Sequence, residues 1–70
     1  MNSTYTAVVR QDGNWWIGWI EEIPGVNCQE PSRDELIKSL RTTLREALVY
    51  NRHEALAAAG GNYREEPVTL

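Results

Sequence analysis

Trp15-Trp16-Ile17-Gly18-Trp19-Ile20-Glu21-Glu22-Ile23-Pro24-Gly25 holds all three tryptophans of the chain and has the composition of a strand that ends in a turn. Aromatic and β-branched side chains suit a pleated, partly buried surface, and Asp12-Gly13-Asn14 before it and Pro24-Gly25 after it are turn chemistry. Because nearly every position is apolar, simple alternation does not say which face is covered. Gly18 does. A glycine inside a strand marks a close approach to the backbone, so the face carrying Trp16, Gly18 and Ile20 is assigned to a covering helix. The opposite face then carries Trp15, Ile17 and Trp19, and needs a cover of its own.

Outward from this stretch, residues 4–11 alternate Tyr5, Ala7 and Val9 with Thr6, Val8 and Arg10, which predicts a first strand. Asp12-Gly13-Asn14 folds it tightly back onto the second strand, 15–21. The turn at Pro24-Gly25 leads into a short third strand over 26–29. Ser32-Arg33-Asp34-Glu35 is a capping box, in which the Ser32 hydroxyl takes the amide of Glu35 and the Glu35 carboxylate reaches the amide of Ser32. It opens a helix over 33–59 that stops at Gly60-Gly61. At about 100° per residue, Leu36, Ile37, Leu40, Leu44, Ala47, Leu48 and Ala55 form the stripe facing the sheet. Such a helix is ~40 Å long, so its alanine-rich second half overhangs a small sheet or packs on another subunit. Residues 63–70 read as a short C-terminal strand or an exchanged arm. The predicted fold is therefore α+β: a three-stranded antiparallel meander with one long helix on one face, β-β-β-α or, with the last strand, β-β-β-α-β.

Seventy residues make a single domain over 1–70, and a chain of this size buries only ~60% of its unfolded surface. With one cysteine, Cys28, and one histidine, His53, it has no internal disulfide and no cluster of such metal ligands. Self-association is the remaining support for so small a core, and a homo-oligomer, dimer or larger, is expected. No run approaches the ~18 apolar residues of a membrane span, and the first residues lack the pattern of a secretory leader. A soluble cytoplasmic protein is the expectation.

The net charge is −3, and it is unevenly placed. Residues 1–35 carry two cations against six acids, a net of −4, whereas residues 36–56 carry four cations against two acids, a net of +2. The four cations, Lys38, Arg41, Arg45 and Arg52, form a narrow helical stripe. Without a second basic element it reads as a solvated face rather than a nucleic-acid footprint. Asp34 and Lys38, four apart, support an exposed helix.

Catalytic chemistry is sparse. His53 has no partner and reads as an ordinary surface histidine, Cys28 as a small buried side chain. Glu21 and Glu22 are adjacent, so on a strand they point to opposite faces and make no acid–base dyad. No glycine-rich phosphate loop occurs. The expectation is a non-enzyme with no catalytic residue, metal or cofactor.

Trp15, Ile17 and Trp19 are the sharper signal. Two aromatics at ~150–250 Å² each exceed the patch that a monomer tends to expose, and a second chain is the favoured cover over the short segment 63–70. With the acids at the end of the same strand, the candidate surface for a partner or for self-association is Trp15, Ile17, Trp19, Glu21 and Glu22.

The chain resembles the HicB-like antitoxins of bacterial toxin–antitoxin systems. The residues carrying the likeness are Tyr5-Thr6-Ala7-Val8-Val9, Asp12-Gly13, Trp16-Ile17-Gly18-Trp19-Ile20 and Glu22-Ile23-Pro24-Gly25. The capped helix with Leu40, Leu44, Ala47 and Leu48 completes it, so that it spans roughly residues 4–58. The resemblance implies a truncated ribonuclease-H-like domain without the nuclease's acidic cluster, whose role is to mask a small basic RNA-cleaving toxin of the HicA type. Full-length members continue into a DNA-binding domain, which the residues after Gly61 do not supply, so direct DNA contact is not expected. The competing reading is a solitary structural or regulatory oligomer of the same fold with no toxin partner.

Overall fold

The structure, a computed structural model, describes residues 4–70; residues 1–3 of the single domain read from the sequence lie outside the described part. Three strands, β1 (Ala7–Asp12), β2 (Trp15–Ile20) and β3 (Asn27–Glu30), precede one helix, α1 (Arg33–Ala59). The strands form an antiparallel sheet in the order β1-β2-β3. This is the α+β meander with a long helix that the sequence predicts. Strand bounds shift by up to three residues from 4–11, 15–21 and 26–29, the largest shift being the start of β1 at Ala7, while the helix bounds agree.

Each turn follows from its residues. Asp12 pairs with Trp15 across a two-residue loop in which Gly13 has φ of 61° and Asn14 does not take positive φ, the pattern of a II′ hairpin turn. At the second turn Val26 N–H reaches the Ile23 carbonyl at 3.5 Å around Pro24 and Gly25, whose φ is 90°. Proline followed by a positive-φ glycine is type II geometry.

Register places Ala7 against Ile20, Val9 against Gly18 and Gln11 against Trp16 on one sheet face, with Cys28 beside Gly18. This is the face α1 covers. Ile20, Val26, Leu36 and Leu40 are buried, and Tyr5, Ala7, Val9, Trp16, Ile23, Cys28, Leu44 and Ala47 pack partly against them. Gly18 lies at the tightest point: a β-carbon there would stand 2.9 Å from the Val8 carbonyl oxygen and 3.1 Å from Leu36 Cδ2. The covered face is therefore the one that Gly18 marks in the sequence.

Ser32 caps α1 in extended conformation, its hydroxyl accepting from Glu35 N–H at 3.2 Å. The Glu35 carboxylate answers to the Ser32 hydroxyl, at 3.0 Å, where the capping-box pattern predicts the Ser32 amide. A hydroxyl can donate and accept at once, so one side chain serves both partners.

Two further expectations are corrected. Residues 63–70 form no strand and join no sheet edge. Instead the segment is exposed throughout, and its link to the helix is at Glu65, both of whose carboxylate oxygens accept from Arg52 Nη2, at 3.0 and 3.3 Å. The sheet-facing stripe also ends sooner than predicted, because Ala55 is exposed. Four-residue β3 and six-residue β1 and β2 are too short to meet it. The distal half of α1 thus overhangs, and the molecule measures 51 × 23 × 15 Å.

Candidate protein-interaction face

The other side of the sheet is built by the same register. Along β2 it presents Trp15, Ile17 and Trp19. Cross-strand partners from β1 are Asp12 beside Trp15, Arg10 beside Ile17 and Val8 beside Trp19. From β3, Gln29 flanks Ile17 and Asn27 flanks Trp19. No element lies over this face among the described residues, and Trp15 and Trp19 are 47% and 41% exposed. Ile17 and Val8, between their neighbours, are half-buried. Two indoles on one pleated face, one β-branched residue apart, form a rigid apolar ridge with a polar margin.

Glu21 and Glu22 separate at the end of β2. Glu21 N–H donates to the Thr6 carbonyl at 2.9 Å, which carries the ladder one step past β2 and puts Glu21 in the Trp15–Ile17–Trp19 row. Glu22 is turned toward β1: its Oε1 accepts from Thr6 N–H at 2.8 Å. That backbone hydrogen bond favours the ionised form and holds the Glu22 carboxyl below its ordinary value. Of the five residues singled out, four share one face, and Glu22 serves the sheet edge instead.

The acidity of residues 1–35 is not gathered on this face. Glu30 lies on the helix side and accepts from Ser39 Oγ at 2.6 Å. Asp34 and Glu35 belong to the first turn of α1. The ridge itself has Asp12 and Glu21 near its two ends and Arg10 at its middle, an acidic balance of one charge. The Ser39–Glu30 clasp between α1 and β3 is a contact that sequence spacing alone could not show, since it depends on how the helix crosses the sheet.

The remaining reactive side chains stand apart. Cys28, half-buried on the helix side, has its sulfur 3.5 Å from Thr43 Oγ1. His53 sits on the exposed distal half of α1, beside Val49 and Tyr50. Among the described residues no group of three or more His, Cys, Asp or Glu converges, and no helix is long and apolar enough to cross a membrane.

Comparison with protein-family models, with curated proteins and with solved structures returns no match to this chain. The class defined by its own geometry is a three-stranded antiparallel sheet backed by one helix, with an aromatic ridge on the open face.

Proposed function

We propose that this chain is a protein-binding module of the antitoxin type, similar to HicB-like proteins, which masks a small basic RNA-cleaving toxin of the HicA type in the bacterial cytoplasm. The observation that carries the reading is the open ridge of Trp15, Ile17 and Trp19 on the sheet face that α1 leaves uncovered. Half-exposed tryptophans on a rigid strand are the residue type that dominates interface energies. Asp12 and Glu21 beside them suit a basic partner, which they would steer on approach. The module acts by occupying the toxin's surface, with no bond-making step, cofactor or DNA contact of its own.

A second reading, a solitary homo-oligomer with no toxin partner, is favoured by the small core: Ile20, Val26, Leu36 and Leu40 are its only buried hydrophobics among the described residues. A chain with so little interior gains stability from a second copy.

Co-expression with a short basic protein encoded in the adjacent reading frame separates the two. The antitoxin reading expects growth arrest by that protein alone, rescue by this chain, and co-purification of the pair. Arrest without rescue, or no arrest and no complex, leaves the solitary oligomer in its place.

A further inference from the structure

On the helix side of the sheet, between the free edge of β1 and the flank of α1, runs a groove of about 400 Å³. Ala7, Ile20, Leu40 and Leu44 give it an apolar floor, and Arg41 and Arg45 stand along the helix flank. β1 pairs only with β2, so its other edge offers backbone donors and acceptors to an extended segment.

A segment of matching chemistry is present in the chain itself. Glu66-Pro67-Val68-Thr69-Leu70 supplies one carboxylate and then two apolar side chains two positions apart, which fall on the same side of an extended strand. Val68 is 87% exposed and Leu70 fully exposed, so neither is packed on its own subunit. The partner of Glu66 is the nearby Arg64, at 3.4 Å on the surface, an exposed pair that exchanges at little cost.

The chain's own copy of this segment is poorly placed to fill its own groove. In the single chain Glu65 meets Arg52 on the overhanging half of α1, at 3.0 Å, and Val68 and Leu70 beyond it stay out of the groove. Arg45, at the near end of the groove, is ~10 Å back along the helix at ~1.5 Å per residue. At ~3.3 Å per extended residue, Val68 reaches only the mouth and Leu70 alone enters. A second copy can deliver all of residues 66–70 with that ion pair intact, because its overhanging helix carries the segment clear of its own sheet.

We infer that the groove between β1 and α1 is the seat of residues 66–70 from a second copy, exchanged reciprocally about a twofold axis. Val68 and Leu70 lie on the apolar floor, Glu66 meets Arg41 or Arg45, and the backbone adds a strand to β1. A twofold arrangement makes the contact twice, so two modest sites act together. The association uses the helix side of the sheet and leaves the tryptophan ridge free. It holds whether or not the chain has a toxin partner.

Light scattering on the full chain tests this first. Wild type is expected at twice its 8.0 kDa mass at micromolar concentration, and Val68→Asp/Leu70→Asp at the monomer mass with unchanged helical circular dichroism. A wild-type monomer, or a dimer that survives the double substitution, overturns the proposal. The second arm places cysteines at Thr4, on the groove wall, and at Thr69, in a Cys28→Ser background. Oxidation is expected to link two chains. A link within one chain, or none, shows that residues 66–70 do not exchange between copies.

Discussion

Glu22 shows how one side chain can change its assignment once the backbone is in place. In the sequence it belongs with Glu21 as a carboxylate pair at the end of an aromatic strand. In the structure its carboxylate is an acceptor for Thr6 N–H just ahead of β1, at 2.8 Å. The hydrogen bond lowers its pKa from the ordinary glutamate value. A depressed folded-state pKa contributes stability that is present above the unfolded value, about 4.3, and is lost as pH falls through the folded value. Glu22→Gln should therefore melt below wild type at pH 7, with the gap closing in acid as the wild-type carboxyl is protonated. A carboxyl resonance for Glu22 that titrates at the ordinary glutamate value, with a melting gap independent of pH, would contradict this. Strand alternation already sends Glu21 and Glu22 to opposite sides. What the local sequence does not show is that the β1–β2 pairing brings Thr6 N–H within reach of Glu22.

At the scale of elements, Gly18 is where strand and helix meet. Its missing side chain admits Leu36 on one side and the Val8 carbonyl on the other. A leucine there has no low-cost escape, since one of its neighbours is backbone. Gly18→Leu should cost about 1–3 kcal/mol, the usual range for overpacking, and a domain of this size loses roughly 4–8 °C in Tm per kcal/mol. A thermal melt unchanged from wild type would mean that α1 does not rest on this face. The packing is legible in advance because a glycine amid tryptophans and isoleucines has few other uses. The capped start of α1 and its stop at Gly60 are equally legible, both being local chemistry. Two features are not. Val68-Thr69-Leu70 after Pro67 has strand composition, yet it joins no strand, and Glu65 just before it meets Arg52, thirteen residues away, on the helix. The 3.6-residue period places Ala55 in the sheet-facing stripe, but periodicity says nothing about where a short sheet ends.

For the whole molecule, the consequence is an elongated body with a sheet at one end and a bare helix at the other, 51 Å in its longest dimension. One sheet face is closed by α1, and the other presents Trp15, Ile17 and Trp19. That open face is readable from the strand's own alternation once Gly18 assigns the covered side. Its charge is not, because Glu22 and Glu30 are drawn into hydrogen bonds that depend on tertiary arrangement. The proposed binding of a basic protein partner on this ridge has its sharpest readout in the dissociation rate of that complex. Trp19 is the residue to change: it is 41% exposed and absent from the packed core, so Trp19→Ala should leave the cooperative melt near that of wild type. With the partner immobilised, Trp19→Ala should dissociate at least about tenfold faster, as expected for an aromatic anchor worth more than ~1.4 kcal/mol. A folded Trp19→Ala protein that leaves the partner at the wild-type rate would contradict the assignment of this face.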